Sequence, residues 1–225
     1  MNKKNKETNK NQIYSFEKAI DFIKNLKKRN FKESIDVAIQ LNIVPNKKNI
    51  SIKGHAILPN KINENKKIAA FLISDNEINE AKDQSIEIIL NEKNIPDFTK
   101  KNINFDLMIT TPNAIIKMGK LNKILGSKNL MPDIKYGTIT TNIKETLSKI
   151  RKNYVKFKND KNDIIHSSIG KIDLDTNKLK ENLETLINEI KKYKPQNCKN
   201  MSIKKIHISS TMGCGLEINL NSLTI

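Results

Sequence analysis

The spacing of apolar residues changes period several times along this chain, and each change marks an expected element. Phe16, Ile20, Ile23 and Leu26 recur at helical spacing behind Ser15, a residue suited to capping, which predicts a helix over 16–26. The period then falls to two. Ile35, Val37, Ile39 and Leu41 in "ESIDVAIQL" share one face of a half-buried strand, and "ISIKGHAIL" keeps Ile50, Ile52, Gly54, Ala56 and Leu58 in step. Pro59 and "NKINENKK" read as a linker. "IAAFLIS" (68–74) is instead a continuous apolar run, as expected of a parallel strand covered on both faces. Helical "NEINEAKDQ", the strand "IEIIL", a short helix around "IPDFTKKN", the strand "FDLMITT" and a helix from Asn113 to about Leu125 follow in alternation. Such alternation defines an α/β unit. After "LGSKNLMPDIKYGTIT" and a helix near 142–152, the two-residue period returns in "YVKFKND" and "IIHSSIGKID". The longest helix spans about Asp175 to Tyr193. Its stripe is Leu179, Leu183, Leu186, Ile187 and Ile190, Asp175 caps its start and Pro195 stops it. A last strand, 202–210, runs into "STMGCG".

An α/β segment between two α+β segments implies an insertion. The expected architecture is a split α+β domain with an antiparallel sheet, residues 1–62 and 154–225. Inserted in it is a Rossmann-like three-layer α/β domain, residues 63–153. A linkage through two strands permits hinge motion.

Charge adds a partner class. The chain has 41 Lys plus Arg against 24 Asp plus Glu, a net charge of +17, and its only arginines are Arg29 and Arg151. Abundant Lys, Asn and Ile point to an AT-rich coding genome, so part of the lysine content is codon bias. Codon bias does not explain the surplus, because acidic residues are equally available. The outer segments carry net +13 and the middle segment +4. A field of this size favours a polyanion, nucleic acid first, and the outer domain should do most of the binding. No apolar run approaches the ~18 residues of a membrane span, and the basic N-terminus has no apolar segment behind it, so neither a membrane anchor nor a signal peptide is expected.

Enzyme chemistry is poorly represented. His55, His166 and His207 all fall in alternating strands, and no GxSxG, Walker lysine loop or HExxH occurs. "LISDNEINEA" has no glycine after the first middle strand, which argues against a dinucleotide. Cys198 and Cys214 form no CxxC and no ligand spacing with histidine, so they read as free thiols, and no metal or other cofactor is expected. Two glycine-bearing stretches remain. In "GSKNLMP", Gly126 fits the position just past a helix end, with Lys123, Lys128 and Lys135 nearby. The stretch is either a plain turn or a basic loop for a nucleic-acid backbone. "TMGCG" can be read as a redox thiol in a glycine loop, a phosphate cradle, or a patch where another backbone comes close. Thr211 offers a hydroxyl and Met212 a flexible apolar contact, groups that suit shape-reading of structured RNA.

Taken together, "FKESIDVAIQL", "SIKGHAILP", "GKLNKILGSKNLMPDIKYGTIT", "FKNDKNDIIHSSIGKIDLDTNKLKENLETLINEIKK" and "IKKIHISSTMGCG" resemble the ribosomal protein L-one family, bacterial or organellar type, from about Tyr14 to Leu223. The resemblance implies a non-enzymatic constituent of the large ribosomal subunit, monomeric within it. It implies binding to the mobile stalk of large-subunit ribosomal RNA, assistance to deacylated transfer RNA leaving the exit site, and in some members repression of their own messenger RNA through the same surface. The implied location is the ribosome in a bacterial cytoplasm or an organelle. The family's main RNA site joins the "FxES" segment to the Thr-Met-Gly turn, here Phe31, Glu33, Ser34, Thr211, Met212 and Gly213, with Asp36 at an acidic position that holds the site. Lys53 and Lys128 complete the expected RNA-binding set. Departures are visible: Asn30 stands where Lys is common, Lys53 where Arg is common, and the family's "GPRGLMP" is "GSKNLMP".

Overall fold

The computed structural model describes residues 12–26, 29–44, 51–60, 66–84, 86, 88–91, 105–194, 198 and 200–223. The helix expected around 95–102, Ile50 and Pro195 lie outside them. The chain divides into two compact units, 1–62 with 155–225, and 63–154. It opens with β1 (Ile13–Tyr14), α1 (Phe16–Lys24), β2 (Ser34–Val44) and β3 (Lys53–Ile57). The middle unit holds β4 (Ile68–Phe71), α2 (Asp75–Asp83), β5 (Ile88–Leu90), β6 (Leu107–Thr110), α3 (Pro112–Lys117), α4 (Gly119–Ser127) and α5 (Ile143–Asn153). The chain returns through β7 (Tyr154–Lys158) to β8 (Ile164–Lys171), α6 (Thr176–Lys192), β9 (Asn200–Ser210) and β10 (Leu216–Ile218). The mixed class expected from the alternation of periods, helices with both kinds of sheet, is the class observed.

In the first unit a five-stranded sheet has the order β1-β10-β9-β2-β8. Its interior pairings are antiparallel. One edge corrects the antiparallel expectation: two-residue β1 runs parallel to β10, and the Asn219 N–H donates to the Tyr14 carbonyl at 2.8 Å. The inward residues of the central strands, Ile35, Val37, Ile39, Ile206 and Ile208, pack with Phe16, Ile20 and Ile23 of α1 and the α6 stripe Leu179, Leu183, Leu186, Ile187 and Ile190. Each such burial stabilises by about 1.5–3 kcal/mol, which is why the two-residue and helical periods were legible. The outward residues Ser34, Asp36, Ala38 and Gln40 are only half-buried. A separate two-stranded sheet pairs β3 with β7. There Gly54 is required by packing: a Cβ would lie 2.7 Å from the rings of Phe157 and Tyr193, which meet edge-on at 5.6 Å.

The middle unit is built on a parallel sheet of order β5-β4-β6. Ile68, Ala70 and Leu72 pack with Ala81 of α2 and Ile143, Leu147 and Ile150 of α5, while Ala69 and Phe71 pack with Ala114, Met118, Leu121 and Leu125. Helices therefore cover both faces, and β4 is buried at every position, as its unbroken apolar run required.

Two local readings are corrected. The helix expected over 113–125 is two helices, α3 and α4, parted at Met118, whose ψ of −3° departs from the helical ladder just before Gly119, a weak helix former. Nor is Gly126 the residue past the helix end; it lies inside the last turn of α4. That place belongs to Asn129, at φ 55°. Leu130 N–H donates to the Leu125 carbonyl at 2.9 Å and Asn129 N–H to that of Gly126 at 3.1 Å, the paired bonds of a Schellman ending. After glycine, asparagine best tolerates this left-handed conformation. "GSKNLMP" thus forms this turn without a glycine at its left-handed position.

Candidate nucleic-acid interface

The site begins with the register of the two longest strands. Ile35 of β2 stands opposite Ser210 of β9, which sets the start of one strand beside the end of the other. The chain just before β2 and just after β9 is then joined by a compact set of hydrogen bonds. Thr211 N–H donates to the Ser34 carbonyl at 3.1 Å. The Thr211 hydroxyl accepts from Ser34 N–H at 3.0 Å and lies 3.3 Å from the Ser34 carbonyl. Glu33 reaches across: its Oε1 accepts from Met212 N–H at 2.9 Å and from the Ser210 hydroxyl at 3.2 Å. Gly213 N–H donates back to the Ser210 carbonyl at 3.0 Å and closes the turn. Lys171, opposite Ser34 on β8, donates to the Ser34 hydroxyl at 3.0 Å.

This geometry reassigns several expected roles. Glu33 is 7% exposed and its Oε1 holds two donors, so it braces the turn from inside. A buried carboxylate needs such donors, because leaving it unpaired is expensive. The Thr211 hydroxyl and Gly213 amide are both engaged within the protein. What the frame presents outward is apolar: Phe31 is 53% exposed and Met212 61%. Gly213 is held by space as well, since a Cβ there would lie 2.5 Å from the Ser210 hydroxyl. The frame resists deformation because the strands behind it are anchored in the core at Ile35 and Ile208.

Other expected site residues are placed elsewhere. Asp36 stands opposite Ser209 and Ser168 in the sheet, and takes no part in the hydrogen bonds that fix the Thr211–Gly213 turn. Lys53 lies on β3 in the two-stranded sheet. Lys128 is exposed at the end of α4 in the middle unit. Among the described residues no group of His, Cys, Asp and Glu could hold a metal ion, and no helix is long and apolar enough to cross a membrane.

Ser210 and Lys171 were missed by sequence reasoning. A signal for Ser210 existed: it continues the inward series Ile206, Ile208, Ser210, as Glu33 begins the inward series Glu33, Ile35, Val37. Polar residues at inward positions on two strands are a pair in waiting. For Lys171 no local signal existed, because only the register puts it across from Ser34.

A mixed α/β protein with this strand-end frame is matched over residues 23–214 by the sequence model of the Ribosomal protein L1p/L10e family, a span that includes both halves of the frame; the chain belongs to that family. Relatives named Large ribosomal subunit protein uL1, from Buchnera aphidicola subsp. Acyrthosiphon pisum strains Tuc7, 5A and APS, are each 40% identical over 232 residues, covering 100% of this chain and 100% of theirs. The family is structural and non-enzymatic, and its place is the ribosome, in the cytoplasm of bacteria such as these.

Proposed function

We propose that the Phe31–Met212 surface is the protein's main contact with large-subunit ribosomal RNA, at the stalk, and that the protein moves with that RNA as deacylated transfer RNA leaves the exit site. The observation that supports this most is the exposure of Phe31, just before β2, and of Met212, on the turn pinned by Glu33 and Thr211 beside the start of β2. Exposed apolar side chains on a rigid frame suit unstacked bases and sugar faces, where aromatic stacking contributes about 1–3 kcal/mol per base. The net charge of +17 supplies attraction that weakens with salt. Asp36 is proposed to support the frame through the sheet, and Lys53 and Lys128 to make peripheral phosphate contacts.

The test is titration of a stalk RNA fragment at several salt concentrations, beside an unrelated duplex of equal length. Wild-type protein should prefer the stalk fragment, and Met212→Asp should abolish the preference while leaving the thermal melt unchanged. Equal affinity for both RNAs would refute the assignment. Repression of the protein's own messenger RNA is the second reading, since a hairpin shaped like the stalk would fit the same surface. A transcript leader without such a hairpin argues against it.

A further inference from the structure

Beside Phe31 lies a feature that neither the family resemblance nor the frame accounts for. The end of α1, the segment 29–33 and the turn after β8 line a half-open pocket of about 490 Å3. That is within the ~300–1,000 Å3 typical of small-molecule sites. Its apolar wall is Leu26, Phe31 and Ile172, and Arg29 and Lys24 supply charge at its edge. Two acids also line it: Asp173 pairs with Lys32 at 3.3 Å, and Glu33 is buried and accepts from Met212 N–H and the Ser210 hydroxyl. Lys24 donates to the Leu174 carbonyl at 2.8 Å, which ties the turn to α1 and keeps the cavity walls together.

Arg29 is distinctive in this chain. It is one of only two arginines among 41 basic residues. The other, Arg151, donates to the Gln84 carbonyl. Among the described residues Arg29 makes no ion pair or hydrogen bond, and it is exposed. A planar guanidinium next to an exposed phenyl ring can hold a phosphate with two bonds while a base lies on the ring, which an ammonium cannot do as specifically.

We propose that this cavity receives a single nucleotide turned out of the RNA stack, with its base between Phe31 and the Leu26–Ile172 wall and its phosphate on Arg29. The inference rests on the assignment of Phe31 to the RNA surface and adds to it an occupant and a second anchoring residue. A splayed base of this kind is how single-stranded or bulged RNA is recognised specifically. Phe31 lines the pocket and is 53% exposed, so its ring is open to a partner.

The experiment uses the full chain and two probes. First, each ribonucleoside 5′-monophosphate is titrated while saturation transfer is read by nuclear magnetic resonance. At least one should show binding that Leu26→Trp or Arg29→Glu removes. Second, the stalk RNA fragment is titrated against salt. Arg29→Ala should weaken binding about tenfold, as loss of a charge-assisted contact implies, and lower the slope of log K against log salt by ~0.7, one single-strand phosphate. Arg29→Lys should restore the slope but not the full affinity. Arg29 is exposed, so its variants stay folded even if Leu26→Trp does not. If no mononucleotide binds and Arg29→Ala keeps the wild-type affinity and slope, the pocket proposal is overturned, although loss of binding in Phe31→Ala would leave the RNA surface standing. If the stalk fragment is bound no better than an unrelated duplex, the RNA surface fails instead, and the mononucleotide titration still decides the pocket.

Discussion

Replacing Glu33 by alanine separates a brace from a contact. In the structure one carboxylate oxygen accepts from Met212 N–H at 2.9 Å and the Ser210 hydroxyl at 3.2 Å, and Glu33 and Ser210 are both buried. Glu33→Ala deletes both bonds and leaves a buried hydroxyl and a backbone N–H to find new partners. Bonds to a charged acceptor contribute about 1.5–3 kcal/mol each, and water reaching the turn returns part of this, so a net loss of about 2 kcal/mol follows. For a unit of this size that lowers the melting midpoint by roughly 4–8 °C. Glu33→Gln keeps an acceptor oxygen in the same place and gives up only the charge, a loss of about 1 kcal/mol or less. The assays are thermal unfolding and stalk RNA titration on the same samples. Alanine should lower both stability and RNA affinity, the latter about tenfold because Met212 is no longer held; glutamine should largely preserve both. If Glu33→Ala melts at the wild-type temperature yet loses RNA, the carboxylate touches the ligand and the bracing role is wrong.

Three further outcomes follow from the same coordinates. Gly213→Ala places a Cβ 2.5 Å from the Ser210 hydroxyl, so it should weaken RNA binding by at least ~1 kcal/mol, and the double change with Ser210→Ala should recover part of that in titration. Asn129→Ala should destabilise the middle unit by about 1 kcal/mol in a thermal melt, because φ is 55°, whereas Asn129→Gly should be neutral or better. Asp160 has its carboxyl held below the ordinary range, chiefly by the Ile164 N–H and further by the Asn162 N–H and His166. Its folded value is depressed, so its contribution is present above the unfolded carboxylate range and is lost as pH falls through the folded value; Asp160→Ala should therefore melt below wild type at neutral pH and converge with it in strong acid.

Much of the fold was legible because burial repeats along the chain. The α6 stripe, the alternation from Ile35 to Leu41 and the unbroken run of β4 each record which sides meet the core. The misreadings fall where backbone geometry, not side-chain pattern, decides. Met118 keeps its place in the apolar series while its ψ breaks the helix, and Asn129 takes the turn conformation that Gly126 was expected to take. At the strand ends the polar residue types were legible, but not which of them bond within the protein. Glu33 holds Met212 and Ser210, Thr211 holds Ser34, and Gly213 closes onto Ser210, contacts that no local pattern announces.

The linear sequence determined the periods, the charge and the motif types, because each depends on residues close along the chain. It therefore fixed the mixed class, the basic character and the membership of "FKES" and "STMG" in one family. Only the tertiary structure decided that β2 and β9 are neighbours in a register that sets Ile35 against Ser210. Registers form between segments far apart in the chain, and a shift of one residue would turn every side chain to the other face. That choice buried Glu33, occupied Thr211, left Phe31 and Met212 exposed and opened the cavity beside Arg29.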